Sequence, residues 1–349
     1  MSPALPAGLR LSPLNRRRWA LFTANRRGYW SLWIIAVLFG LSLFAEFLAN
    51  SRPLLVGFKG AVYAPVLFDY PETTFGGVFE TPANYDDAYV RDAILADGWI
   101  VRPAIPFSFD TIDFNLDRPA PAPPSTKHWL GTDNQGRDVM ARLIYGFRIS
   151  MLFALLLAVV SSLIGVAAGA VQGYFGGLTD LLFQRFIEIW GGLPQLFILI
   201  IVASIIAPGF WTLLLVLLLF SWTSLVAVVR AEFLRARNLD YVRAAKALGM
   251  SDLAVMTKHI LPNAMVATVT FLPFILSGAV VALTSLDFLG LGMPPGSPSL
   301  GELLRQGKEN LQAPWLGLTG FFAIAGMLTL LVFVGEAVRD ALDPRKTFV

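Results

Sequence analysis

Six stretches of about twenty mostly apolar residues recur along the chain, near 29–49, 150–172, 187–207, 211–230, 264–286 and 315–337. As helices, such runs are long enough to cross roughly 30 Å of hydrocarbon. In lipid every backbone polar group must be bonded within the protein, so several such runs predict bundled helices. Only 15% of the residues are charged and 56% are hydrophobic, against about 25% charge in a soluble domain. The first run follows Arg16-Arg17-Arg18 and Arg26-Arg27. It is longer than the ~7–15 apolar residues of a signal-peptide core and reads as a retained span.

The basic residues set the expected orientation. Of 27 Lys and Arg, sixteen fall in 1–29, 173–186, 230–263 and 338–349, and only two in 208–210 and 287–314. Both termini are therefore expected in the cytoplasm. The long polar segment 50–127 then lies outside, with six basic and ten acidic residues, a net charge of −4. The expected organisation is a cytoplasmic segment 1–29, a first helix 30–49, an external part 50–148, a five-helix core 149–338 with a cytoplasmic loop 231–263, and a tail 339–349.

Several chemistries are disfavoured. There is no cysteine, and the two histidines, His128 and His259, lie far apart with no acidic cluster beside them in sequence. Two stretches imitate a phosphate-binding loop. In Gly131-Thr132-Asp133-Asn134-Gln135-Gly136, Arg137-Asp138 replaces the Lys-Ser/Thr pair that handles phosphate and magnesium. Gly301 to Gly307-Lys308 is one residue too long and is followed by Glu309. The chain is not expected to bind ATP. Glu46, Arg185, Glu188, Asp287 and Glu336 all fall near the ends of spans. An ion-coupled carrier or channel, the main rival reading, would place such groups near the midplane. No nucleophile–base pair suggests a membrane enzyme. Gly165, Gly169, Gly173 and Gly177 recur every four residues, a stripe suited to close helix packing.

The most informative segment is Tyr241 to Asn263, between the fourth and fifth runs. It reads as a short helix, a stop at Gly249, a second helix capped by Ser251, and a turn at Pro262 into the next span. Arg235, Arg237, Arg243, Lys246 and Lys258 stud it. From the residues alone, a docking site for a soluble partner and a basic loop lying on lipid both remain open.

This loop resembles the EAA motif of binding-protein-dependent ABC permeases, with Ala244-Ala245, Gly249 and Leu261-Pro262 in register. Arg243 stands where that motif has Glu, and His259 where it commonly has Ile. His128-Trp-Leu-Gly-Thr-Asp133, Gly136-Arg137-Asp138 and Arg142 to Ser150 are similar to the segment before the second span of dipeptide and oligopeptide permeases. Gly176-Gly177, Asp180, Arg185, Glu188 and Pro194 match a further string of that family, as do Leu286 to Gly292 and Gly335 to Arg345. Arg26 to Trp33, the long insert and Arg243 resemble the Yej-type microcin C and oligopeptide permeases within it.

The resemblance implies an all-α polytopic membrane protein with six transmembrane helices in the type I ABC importer permease fold, plus an external insert. It implies translocation of peptides by alternating access. The partners would be a second homologous permease, cytoplasmic ABC ATPase subunits, a periplasmic solute-binding protein, the peptide and membrane lipid, with no nucleic acid. ATP and magnesium would be bound by the ATPase, leaving no cofactor, metal or catalytic residue here. It assigns coupling to the ATPase to Arg243, Ala244, Ala245, Gly249, Ser251, Leu261 and Pro262. Gly131, Asp133 and Arg137 are expected on the face that meets the binding protein.

Overall fold

The computed structural model describes residues 12–343; the ends of the expected tail segments lie outside the described residues. In chain order the elements are α1 (Pro13–Ala24), α2 (Arg26–Leu43), α3 (Ala45–Leu48), β1 (Leu55–Phe58), β2 (Ala61–Tyr63), a 3-10 turn (Glu72–Phe75), α4 (Ala88–Asp97), β3 (Gly98–Val101) and α5 (Val139–Phe175). There follow α6 (Gly177–Gly191), α7 (Gln195–Ile205), α8 (Phe210–Ser221), α9 (Thr223–Ala236), α10 (Asp240–Ala247), α11 (Asp252–Val255), a π turn (Met256–Ile260), α12 (Leu261–Phe288), α13 (Leu300–Glu309) and α14 (Pro314–Leu342).

Among the described residues, four helical runs are long and apolar enough to cross a membrane: Val139–Phe175, Phe210–Ala236, Asp252–Phe288 and Pro314–Leu342. A fifth is obtained if α6 and α7, bent by 68° at their junction, count as one span. The expected first span is α2 followed by the separate turn of α3, and α2 does not reach the same length and hydropathy. Six spans are thus not established by length and composition. The expected turn at Pro262 is also absent: α11, the π turn and α12 form one run. A helix-interior proline removes a hydrogen bond and crowds the preceding turn, and the wider π turn directly before Pro262 relieves both.

The chain divides into two compact units. The first comprises residues up to Ala36, Leu152–Leu283 and the residues from Gly326 onward. In it the glycine stripe of α5 lies against α9. A Cβ at Gly169 would come within 2.8 Å of the Val226 carbonyl, and one at Gly173 within 2.5 Å of the Arg230 carbonyl. Gly177, expected in the same stripe, instead opens α6 and faces open space. At one end, Phe22 of α1 is buried against Ala337 and Ala341 of α14.

The second unit comprises Val37–Met151 and Thr284–Ala325. Its insert is not a plain loop but a small folded body. A three-stranded antiparallel sheet has the order β2-β1-β3, pairing Val56 with Tyr63 on one side and with Ile100 on the other. Phe75 is fully buried at its centre, with the rings of Phe58, Tyr63, Tyr70 and Tyr85 edge-on at 5.3–6.3 Å. Such edge-to-face pairs suit the aromatic quadrupole. Val90 and Ile94 of α4 complete this core.

Candidate functional site

The segment between α9 and α12 begins at Arg237. Its guanidinium Nη1 donates to the carbonyls of Gly173 (3.4 Å) and Tyr174 (3.3 Å), in the last turn of α5. A cation there satisfies carbonyls left without intrahelical partners and complements the helix dipole. Next comes α10, which buries Val242 and Ala245 and leaves Arg243, Ala244 and Lys246 exposed.

Gly249 ends α10 with φ +81°, a left-handed conformation that disfavours any Cβ. The Gly249 N–H donates to the Lys246 carbonyl and the Met250 N–H to that of Ala245, the paired bonds of a Schellman stop. Ser251 occupies the N-cap position of α11, and its carbonyl accepts the first helical bond from the Val255 N–H, but its hydroxyl makes no capping bond. The expected side-chain cap is therefore not formed.

The inner face of this segment is apolar. Val242, Ala245, Val255, Met256, Ile260 and Ala264 form one buried cluster with Ala170, Tyr174, Val229, Phe233 and Ala236. Leu261 packs partly buried against it, and Pro262 is exposed. On the outer face, Leu248 and Leu253 flank Gly249 and are 85% and 70% exposed. Residues of this type, held out by a rigid turn, make a compact apolar knob. Neither leucine stands out by residue type in an apolar chain. Periodicity does not mark them, since Leu248 follows Ala245 by three residues and Leu253 precedes Met256 by three, the spacing of the inward residues; only their closeness to the glycine stop does.

The other sequence-derived candidates lie in the second unit, around the start of α5. Gly131 has φ +76°, and a Cβ there would meet the Ala122 carbonyl at 2.7 Å. Asp133 and Arg137 were expected on a docking face, but they are 0% and 3% exposed. Asp133 accepts from the backbone N–H of Gln135 and Arg137, and from the Arg137 Nε at 2.7 Å. Glu302 of α13 lies 3.5 Å from Arg137 and 2.9 Å from Arg142, which is fully buried. Arg142 also donates to the carbonyls of Phe109, Gly296 and Ser297. Burying charge is tolerated only where it is paired and hydrogen-bonded, so these residues tie loops together rather than present a surface. Asn134 and Gln135 are the exposed members of that turn.

His128, which has no acidic neighbour in sequence, is buried between two carboxylates. Its Nδ1 is 2.8 Å from Asp138 and its Nε2 is 3.1 Å from Asp113. The ring of Phe107 stacks on the imidazole at 4.5 Å. Burial alone would lower the His128 pKa, but hydrogen bonds to Asp138 and Asp113 outweigh it and raise the pKa above its ordinary value. For Asp113, burial pushes the pKa up, yet Lys127, the Asn115 N–H and His128 together hold it below the usual carboxylate value.

Residues 161–348 match the family described as "Binding-protein-dependent transport system inner membrane component". Over the whole chain, the sequence is 56% identical to all of the "Peptidoglycan transport system permease protein YejE" of Agrobacterium fabrum. It is 58% identical to the "Inner membrane ABC transporter permease protein YejE" of Escherichia coli, across 97% of this chain and 99% of that protein. The "Dipeptide transport system permease protein DppC" of Bacillus subtilis is 37% identical across 64% of this chain and 70% of its own length.

Proposed function

Because the chain belongs to the family of inner-membrane components of binding-protein-dependent transport systems, we propose that it is the membrane-spanning subunit of an ATP-driven peptide importer. Similarity to permeases of oligopeptide and dipeptide systems supports peptides as the cargo class. Peptidoglycan fragments and microcin C-like peptides are the narrower candidates within it.

In this reading the protein is a multi-pass inner-membrane subunit with α2 as a sixth span. Both termini and the segment from Arg237 to Asn263 face the cytoplasm, as the distribution of Lys and Arg favours. The insert faces the opposite side, where a solute-binding protein would deliver cargo. A second, homologous permease would close the translocation pathway. An ATPase partner would bind ATP and magnesium and perform hydrolysis, and this chain would contribute no catalytic group. The exposed turn formed by α10, Gly249 and α11 would seat in that ATPase, and its movement would rock the helices between two accessible states as largely rigid bodies.

The observation that carries this reading is the knob itself, with Leu248 and Leu253 held outward over a buried apolar base. The test is co-purification of the ATPase partner with Gly249→Val. Nothing lies within 4 Å of a Cβ at that position, so the substitution acts through φ alone and leaves the buried base intact. Loss of the ATPase from a permease still inserted in the membrane is expected. Retention of the ATPase with normal uptake would return the lipid-surface reading. ATP dependence of uptake in reconstituted vesicles separates the proposal from an ion-coupled carrier.

A further inference from the structure

The docking segment is fastened to the last turn of α5 by side chains that no transport role has yet absorbed. Tyr174 is only 5% exposed, and its ring belongs to the buried base beneath α10. Its hydroxyl leaves that base and donates to Oδ1 of Asp252, the first residue of α11, at 2.5 Å. Lys246 of α10 lies 4.6 Å above the same ring and 3.5 Å from the same carboxylate. From the other side, Arg237 holds the carbonyls of Gly173 and Tyr174. One residue of α5 thus meets both short helices flanking Gly249 and the end of α9.

Simple packing does not account for this arrangement. A phenylalanine would fill the same volume in the buried base and offer Lys246 the same ring face. Only the hydroxyl reaches Asp252, and it does so at the mouth of the docking segment, where Asp252 is exposed. A hydrogen bond to a charged acceptor is shorter and more directional than a contact between apolar groups. It resists sliding, whereas apolar surfaces permit it.

We propose that Tyr174 is the positioning residue through which the docking segment moves α5, with Asp252 as its acceptor and Lys246 as the cation that holds both. This rests on the reading of the Arg237–Asn263 segment as the ATPase seat. With the tie in place, the segment and the end of α5 travel as one body. Without it, the segment still docks but slips against the helix.

The chain has no cysteine, so spin labels can be placed at two introduced sites. Phe175→Cys at the end of α5 and Thr257→Cys in the π turn are both at exposed positions. The transporter is assembled with its ATPase, and the label-to-label distance is measured by double electron–electron resonance, nucleotide-free and vanadate-trapped. In the labelled parent the distribution should be narrow and unchanged between the two states. Tyr174→Phe should keep the ATPase bound and ATP hydrolysis within about twofold, as expected for a change that removes one hydroxyl. It should nevertheless broaden or shift the distance in the trapped state. Asp252→Ala, which also frees Lys246, should do the same at least as strongly, and the double variant should be no worse than Asp252→Ala alone, because the hydroxyl has already lost its acceptor. Asp252→Asn, which keeps an oxygen acceptor, should restore much of the parent distribution.

An unchanged distribution in Tyr174→Phe would overturn the proposal, as would additive effects of the two single variants or loss of the ATPase from Tyr174→Phe. These outcomes differ from failure of the docking reading, which Gly249→Val reports separately through retention of the ATPase.

Discussion

The imidazole Nδ1 of His128 sits 2.8 Å from the carboxylate of Asp138, the residue immediately before α5, while its other nitrogen meets Asp113. The raised pKa of His128 means that this pairing stabilises the fold fully below about pH 6.5, its unfolded value, and that the contribution is lost as pH rises through the raised folded value. The lowered pKa of Asp113 acts at the other end. Its contribution is present above about pH 3.8 and is lost as pH falls through the lowered value. Thermal unfolding of the detergent-solubilised protein should show the parent furthest above His128→Gln in the mildly acidic window between those limits. The gap should narrow steadily toward pH 9.

Glu302 should matter more than its partial exposure suggests. Glu302→Ala leaves the buried Arg142 facing Asp133 alone, 3.5 Å from its Nε, and breaking a buried pair from one side costs about 3–5 kcal/mol. Combining it with Arg142→Met should recover part of the loss, since the uncompensated charge is gone. The melting temperatures of the parent, the single and the double variant decide this.

Two glycines should respond in opposite directions. At Gly173 a methyl group would meet the Arg230 carbonyl and the Phe233 Cβ at 2.5 and 2.6 Å, both rigid neighbours. Gly173→Ala should destabilise by about 1–3 kcal/mol. Gly278, inside α12, has nothing within 4 Å of a Cβ. Gly278→Ala should stabilise the isolated chain by about 0.5–1 kcal/mol through backbone entropy. Melting in one detergent compares the two directly.

The knob yields a prediction that separates docking from folding. Leu248→Asp and Leu253→Asp alter side chains that are already mostly in solvent, so the melting temperature should hold. If each leucine buries against the ATPase, its loss removes about 1.5–3 kcal/mol of apolar transfer, at least tenfold in affinity. Retention of the ATPase on the immobilised permease reports this. Equal retention in both variants and the parent would remove these residues from the seat.

The apolar runs in the sequence marked where helices meet lipid, but not where helices end. The fold extends α5 back to Val139, through Arg142 and Arg148. Their charges are answered by Glu302 and by Glu46, which lies 2.9 Å from Arg148. Hydropathy cannot register a helical turn whose charges are matched by residues far away in sequence. The glycine stop at Gly249 was legible because its cause is local. At Ser251 the helix start was legible and the cap was not, since residue type marks the position but not whether the hydroxyl turns toward the free N–H groups. Asp133 and Arg137 look like surface residues by type, and only their long-range partners place them inside. The insert was opaque for a related reason. Its strands are three or four residues long, too short to show alternation, and its core depends on rings gathered around Phe75 from as far apart as Phe58 and Tyr85.

Beneath that insert, the chain departs and comes back at one place. The Asn50 N–H donates to the Ile105 carbonyl and the Ile105 N–H to that of Leu48, so Ala49 and Ile105 lie side by side. What lies between them has its own aromatic core. The two run parallel there, so a closing link would need enough residues to double back rather than a tight hairpin, and it would leave α3 and the start of α5 in their present register. In engineering terms residues 50–104 form a detachable cassette. Replacing it with a linker of that kind asks nothing new of α3 or of the start of α5.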